Sequence, residues 1–379
     1  MASEQDKERL RERFQKALPH LVGREEEQRR KQASKARRAA ARGAKGGSRR
    51  DWHEDDATFV KMTAGRRADL SPSAPPAQAA ADLPRATVAA VHRGQVQLDN
   101  GATARPGARL AVDPEFRLAV GDEVAFEATA GPARIIARLP RRSWVGRPDP
   151  GNPHRAQVLA ANVDLAVIVV SVAEPPLRPG LIDRFLLALH AGGAAPLLCV
   201  NKIDLLEPGG AEAELQATLT PYRDLGVPVV TVSADSGRGL DSLRAHLAGR
   251  TCVFVGHSGV GKSSLLNAID PEAARRVQAV AEVNRKGRHT TTSSQLRTLA
   301  HGTRVIDTPG IRAFGVEGLT LAAVRDGFPE FAALAGRCRY GDCTHRTEPE
   351  CAVRSAAAAG ALSAARYGSY LRIVAGMDE

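Results

Sequence analysis

No apolar run in the 379 residues is long enough to cross a bilayer, and the first thirty residues are charged where a secretory signal would carry an apolar core. A membrane-spanning or exported protein is therefore not expected, and the cytoplasm is the expected compartment. Cysteine is scarce. Five residues, an odd number, do not suit a disulfide framework, and three of them (Cys338, Cys343 and Cys351) crowd near the C-terminus around His345, which suits a metal better. Cys199 and Cys252 read as buried strand residues. Between Arg24 and Arg50 there is no aromatic or aliphatic periodicity. Basic residues alternate there with Ala, Gly and Ser, a composition that cannot bury a core and is expected to be disordered when free.

What is present supports several folded units. With 43% hydrophobic residues, the chain is long enough for two or three domains, each with its own core. Its formal net charge is +11, and residues 1–50, with sixteen Lys and Arg against seven Asp and Glu, hold +9 of it. Such an excess favours a polyanionic partner through counterion release, either nucleic acid or an acidic membrane surface. Residues 70–83 have linker composition. From Arg85 come short alternating runs at 86–92, 95–101, 123–127 and 134–139, the second closing on Asn100-Gly101. They predict four or five strands in a small closed barrel, an OB-fold in the first instance. Arg138, Arg141, Arg142 and Arg147 surround Trp144 at its exit, which reads either as a basic patch with a stacking ring or as a domain junction. After Gly151 the runs 163–172, 196–200, 227–232 and 252–255 alternate with amphipathic stretches at 181–190, 211–225 and 240–248. This predicts a doubly wound α/β domain with a parallel sheet.

The motifs inside that domain carry the chemistry. Gly256-His257-Ser258-Gly259-Val260-Gly261-Lys262-Ser263 follows an apolar strand and, with Ser264, opens a helix, as a phosphate-binding loop requires. Its backbone N–H groups would face the α- and β-phosphates, Lys262 would reach the β- and γ-oxygens, and Ser263 would ligate Mg²⁺. Asp307, ending the run Val305-Ile306-Asp307, is a second Mg²⁺ candidate, and Gly310 of the same Asp-Thr-Pro-Gly motif can bond the γ-phosphate. Between the two lies Lys286-Gly-Arg-His-Thr-Thr-Thr-Ser293, a polar switch loop in which Thr290 or Thr291 would close on Mg²⁺. Asn201-Lys202-Ile203-Asp204 selects the base. Asp204 can accept guanine N1–H and N2–H₂, a pair adenine does not offer. Asn201 would bond the opposite edge of the base, and the Lys202 stem would cover the ring. Ser233-Ala234-Asp235 would add a backbone N–H for guanine O6.

The order of these motifs is permuted. Ras-like GTPases run phosphate loop, switch, DxxG, NKxD, SA; here NKID and SAD come first, then the phosphate loop, the switch and DTPG. A circular permutation explains this, with the old ends joined near 249–251 and new ends opened before residue 163 and after the DTPG segment. Nucleotide state and the C-terminal domain should then be coupled, because the segment that senses the γ-phosphate leads into that domain. There Cys338, Cys343, His345 and Cys351 supply four soft ligands in fourteen positions, the set of a closed structural zinc site.

Through these residues the chain resembles the ribosome small-subunit-dependent GTPases of the RsgA/YjeQ family. The likeness runs from about residue 85 to the end and takes in Ala160-Ala-Asn-Val-Asp, the motifs above, Glu348-Pro and the terminal Tyr367-Gly-Ser-Tyr370. It implies an OB-fold, a permuted α/β P-loop GTPase domain and a C-terminal zinc-binding α domain that clasp the small subunit during late maturation, with hydrolysis stimulated by that subunit. The expected layout is a basic tail and linker at 1–83, the barrel at 84–150, the GTPase at 151–330 and the zinc-binding domain at 331–379. Expected partners are GTP or GDP and the small subunit with its rRNA, bound by a monomer that also needs Mg²⁺ and one Zn²⁺. Ile311 stands where Ras-like enzymes place the water-orienting glutamine, so either His289 positions the water, or ribosomal RNA or Lys262 completes the site. Two rival functions are disfavoured. A lipid-anchored switch lacks an apolar helix face or lipidation site near the tail, and a nucleic-acid binder with vestigial nucleotide binding would not keep Lys262, Ser263 and Asp307.

Overall fold

The computed structural model describes residues 82–92, 95–107, 117–149, 152–207, 209–272, 294–307 and 319–377. The basic tail, the switch loop with His289, Thr290 and Thr291, and positions 308–311 with Gly310 lie outside them.

Five strands form the barrel: β1 (Arg85–His92), β2 (Gln95–Leu98), β3 (Thr103–Pro106), β4 (Glu123–Glu127) and β5 (Ala133–Arg138). They pair in the order β1-β2-β3-β5-β4, and β4 returns to β1 to close the ring. β3 and β5 run parallel and the other pairs antiparallel, the OB-type arrangement. Alternation does the sorting: in β2, Val96 and Leu98 point inward beside Val88, Val124, Phe126 and Ile135, while Gln95 and Gln97 face out. β3 (Thr-Ala-Arg-Pro) has little apolar pattern of its own and is a strand because both of its edges are paired.

A hairpin of β6 (Trp144–Asp149) and β7 (Asn152–Ala161) follows, and it crosses position 150, where the barrel was expected to end. Its Gly and Pro residues give the first half of the hairpin no alternating pattern of its own. The arginines around Trp144 are used within this joint. Arg141 grips the fully buried Asp122 through two bonds of 2.6 and 2.8 Å, Arg142 reaches Asp164 at 3.1 Å, and Arg147 reaches Gln157 at 3.0 Å. The domain-junction reading of the cluster is the one the structure supports. Gly121 makes the joint possible: its φ is +92°, and a Cβ there would lie 2.1 Å from the Ala161 carbonyl oxygen.

The α/β domain is built on β8 (Leu165–Ser171), β9 (Ala195–Asn201), β10 (Val229–Thr231), β11 (Thr251–Val255), β12 (Gln295–Thr298) and β13 (Arg304–Asp307). The strands lie in the order β10-β9-β8-β11-β13-β12, all parallel except β12. β12 also meets β1 at Gln295↔Ala90, so one sheet runs from this domain into the barrel. Every residue of β8 is buried, and successive side chains serve opposite cores. Ala166, Ile168 and Val170 pack with Phe185, Leu189 and Tyr222, while Leu165, Val167 and Val169 pack with Leu243, Leu247 and Leu265. The helices are α1 (Pro179–Gly192), α2 (Ala211–Asp224), α3 (Leu240–Leu247) and α4 (Lys262–Ile269). Three residues join α3 to β11, with Gly249 at φ +69°, so the connection needed by the permutation is a tight turn.

The C-terminal lobe holds α5 (Leu321–Asp326), α6 (Ala332–Ala335), α7 (Ala352–Ala358) and α8 (Ala364–Ala375). Its core gathers Val324, Phe328, Phe331, Val353, Tyr370 and Ile373 around the cysteines, and Leu187 of α1 joins it. Packing therefore starts ahead of residue 331, because Val324 and Phe328 are already fully buried in this core.

Gly121→Ala should lower the melting temperature by about 4–8 °C, because the added methyl needs both a left-handed φ and a displaced backbone. Gly131→Ala, which meets open space, should change it by less than about 2 °C. Equal thermal shifts in the two variants would contradict this account of the joint.

Candidate nucleotide and metal sites

The loops that follow β9, β10 and β11 meet at the C-terminal edge of the parallel sheet, where open α/β sheets bind ligands. Loop 256–261 leaves β11 through three glycines in the left-handed region, Gly256 (φ +146°), Gly259 (+84°) and Gly261 (+91°). Two of them are also points of close approach. A Cβ on Gly256 would lie 2.2 Å from the Val169 oxygen, and one on Gly261 would lie 2.3 Å from the Asn201 amide nitrogen. Helix α4 then starts at Lys262 with no side chain capping its first turn, leaving backbone N–H groups at its positive end. Ser258, Ser263 and Ser264 are exposed around this mouth, and Val260 is buried beneath it. The Lys262 ammonium donates to the carbonyls of Gly256 (2.6 Å) and His257 (2.8 Å), which holds the loop curled around it.

Asn201 is 1% exposed, and both ends of its amide are engaged. Nδ2 donates to the Val260 carbonyl at 2.9 Å, and Oδ1 accepts from the Ala234 N–H at 3.1 Å. The side chain expected to touch the far edge of a purine ties loop 256–261 to loop 233–236. Ser233 is fully buried and braces the second loop by accepting from the Ser236 N–H at 3.0 Å. Lys202 sits at φ +63°, and its ammonium donates to the Glu174 carbonyl. Ile203 anchors the turn below through its N–H on the Val232 oxygen at 3.2 Å. Asp204 is exposed at the rim, and among the described residues its carboxylate has no partner. The loops therefore hold one another, and the one acidic group of the NKID turn faces outward.

Asp307 ends β13, next to the strand that feeds the phosphate loop, one residue beyond Ile306, which pairs with Val253. It is partly exposed and meets Arg297 of β12 at 3.2 Å. An exposed hydroxyl on Ser263 and a partly exposed carboxylate are hard oxygen donors of the kind a hydrated divalent cation uses.

The second cluster lies in the C-terminal lobe. The ligand atoms of Cys338, Cys343, His345 and Cys351 all fall within 4.8 Å of one another, with His345 Nδ1 3.6 Å from the Cys338 sulfur and 3.5 Å from the Cys351 sulfur. Burial and the nearby Arg325 lower the His345 pKa, which keeps its imidazole neutral and able to coordinate. Burial works against a thiolate at Cys338, yet the Ala352 and Val353 N–H groups at the start of α7 pull its pKa below the ordinary value. Burial and the neighbouring sulfurs push Cys343 up to about 12, so three thiolates here call for a cation among them.

The surrounding residues fix the loop. Glu348 accepts from the N–H groups of Thr344 (2.7 Å), Arg346 (2.9 Å) and Thr347 (3.1 Å) and from the Thr344 hydroxyl. Burial would raise its pKa, but these donors hold it down to about 2. The Tyr367 and Tyr370 hydroxyls donate to the carbonyls of His345 (2.8 Å) and Thr344 (2.5 Å), so the terminal tyrosine pair braces the same loop.

Comparison with known proteins agrees with this architecture. Residues 138–317 match the family described as RsgA GTPase. A Small ribosomal subunit biogenesis GTPase RsgA of Chromohalobacter salexigens is 44% identical over 261 residues, covering 69% of this chain and 75% of the relative. One of Pseudomonas syringae pv. syringae is 44% identical over 263 residues, covering 69% and 76%. Among solved structures, YjeQ from Thermotoga maritima superposes with a TM-score of 0.63 at 28% identity, over 77% of this chain and 98% of that one. YloQ, a circularly permuted GTPase, gives 0.60 at 28% identity over 79% and 96%. Permuted motif order, closed barrel, Cys₃His cluster and this degree of identity lead to one conclusion: the chain belongs to the RsgA family of circularly permuted GTPases.

Proposed function

We propose that the protein binds and hydrolyses GTP while bound to the small ribosomal subunit late in its maturation, and that nucleotide state governs its release. The observation that carries the guanine assignment is the outward-facing Asp204 carboxylate on a turn held by Ile203 and Lys202. It can accept the N1–H and N2–H₂ of guanine together, a donor pair absent from adenine. Phosphates would lie over the N–H groups of loop 256–261 and the start of α4, with Lys262 exchanging the Gly256 and His257 carbonyls for β- and γ-oxygens. Ser263 and Asp307 are the described residues that would hold Mg²⁺, which supplies charge neutralisation between the β- and γ-phosphates. Thr290, Thr291, Gly310 and His289 remain the assignments for the switch, the γ-phosphate and the attacking water. Cys338, Cys343, His345 and Cys351 would hold one structural Zn²⁺, a closed set with no open position for catalysis.

The rRNA partner is supported by the names of the relatives and by the basic excess of residues 1–50. Among the described residues no helix is long and apolar enough to cross a membrane. We propose a cytoplasmic monomer with the basic tail as an electrostatic anchor on rRNA.

GTP hydrolysis should rise when small subunits, but not large subunits, are added, and ATP should not be turned over. Asp204→Asn should weaken GTP by roughly 100-fold, the loss of about 3 kcal/mol of charge-assisted bonding, and gain xanthosine triphosphate as substrate. Equal turnover of ATP and GTP by the parent protein would refute the base assignment.

Freshly purified protein should contain one zinc per chain by elemental analysis. Cys343→Ala should lose it and unfold the C-terminal lobe, since such sites contribute about 10–16 kcal/mol to zinc-finger peptides. Protein with full C-terminal structure and no stoichiometric metal would count against the site.

A further inference from the structure

Helix α1 reaches from the nucleotide loops to both neighbouring units. The turn that leads into it, residues 172–178, touches both ligand loops. Glu174 offers its carbonyl to Lys202 of the NKID turn, and Pro175 lies 3.6 Å from where a Cβ would sit on Gly259 of the phosphate loop. At the far end of α1, Gly192 has room for no side chain, because a Cβ there would fall 2.0 Å from the Trp144 oxygen of β6. Along its length, Leu187 packs into the core of the C-terminal lobe, and Asp183 is fully buried.

Asp183 is paired with Arg366 of α8, Oδ1 to Nη1 at 2.7 Å, with side-chain exposures of 0% and 3%. The other edge of the same guanidinium holds Glu330, Nε at 2.8 Å and Nη2 at 3.1 Å, and its Cζ lies 4.4 Å from the Phe328 ring centre. The two carboxylates come from different places. Asp183 belongs to α1, behind the turn that contacts the base and phosphate loops, and Glu330 belongs to the segment that runs on from Asp307 and the DTPG motif. A planar guanidinium has a fixed fork of donors, so it can bond both acids at once only when α1 and the 329–331 turn stand in one relative position. Apolar contacts at the same place would tolerate sliding; a buried, doubly paired charge does not.

We infer that Arg366 couples the nucleotide site to the C-terminal lobe, as the point at which α1, behind the turn that touches both nucleotide loops, is fixed against α8 and the 329–331 turn. The line runs from the base and phosphate loops through turn 172–178 and Asp183 to Arg366, which Glu330 holds from its other edge. The inference rests on the GTP reading given above. Arg366 acts on subunit binding by positioning α8, whose tyrosines brace the metal loop.

The test is hydrogen exchange of the amides of α8 in the full-length protein with GDP and with a non-hydrolysable GTP analogue. The parent should show a difference of about fivefold or more in α8 protection between the two states, the scale of an ordinary coupling free energy. In Asp183→Leu/Arg366→Met, which replaces the pair by apolar groups of similar size, that difference should vanish while GDP affinity stays within about threefold of the parent. Glu330→Gln, at a carboxylate that is 15% exposed and so tolerates change, should lose part of the difference with the fold intact. A folded double variant, or Glu330→Gln if the double variant does not fold, that keeps the parental difference would overturn the inference. A parent that binds neither GDP nor the analogue would instead refute the GTP reading, so the two failures are distinguishable.

Discussion

The nucleotide site depends on one buried amide. Asn201 donates to the Val260 carbonyl and accepts from the Ala234 N–H, so the loops after β9, β10 and β11 are locked through a single side chain that solvent does not reach. Buried hydrogen bonds are worth about 0.5–1.5 kcal/mol each when made and cost more when one partner is removed. The cost falls on the shape of the pocket. If Val260 were released, Gly261 could no longer lie against the Asn201 amide, and the phosphate loop would lose its register with the NKID turn that carries Asp204. The permutation leaves this tie untouched, because it joins positions neighbouring in space whatever the order of the strands in sequence.

Side chains and backbone also tie the barrel, the GTPase domain and the C-terminal lobe together. The sheet runs without a break from β10 to the barrel through the pairing of β12 with β1. The β6–β7 hairpin and Gly121 seat the barrel on the GTPase domain, and Arg141 on Asp122 holds that corner. On the other side, Arg366 fastens the C-terminal lobe to α1. Polar, geometrically demanding contacts thus sit at the joints, while apolar cores fill the units. That distribution fixes the described units in one relative position.

The sequence was most informative where chemistry is carried by neighbouring residues. Loop 256–263, the NKID turn and the Cys₃His spacing are local patterns, and the structure places the described members of each set together as their spacing implies. The fully buried strands were legible as unbroken apolar runs. What was not legible depends on distant partners. β3 has no pattern of its own, the β6–β7 hairpin is disguised by Gly and Pro, and the Asp183–Arg366 pair spans 183 positions. The motif marks Asn201 as a residue of the site, but the loops its amide ties together are not legible from it, because the motif names the residue and not its surroundings. The Glu348 and tyrosine contacts were visible only as family signatures; their physical role, bracing the metal loop, needed coordinates.

Asn201 organises the pocket, and Asn201→Asp tests this with no change in side-chain size. Aspartate keeps the oxygen that accepts from Ala234 but sets a second oxygen against the Val260 carbonyl, turning one hydrogen bond into a repulsion. Calorimetric titration with GDP should show affinity reduced by roughly 10- to 100-fold, the equivalent of about 1.5–3 kcal/mol. Thermal unfolding should stay cooperative with the melting temperature lowered by about 5–10 °C, because a buried carboxylate facing a carbonyl costs stability while the cores are unchanged. A variant that binds GDP as tightly as the parent would contradict the claim, since the phosphate loop would then hold its shape without the tie.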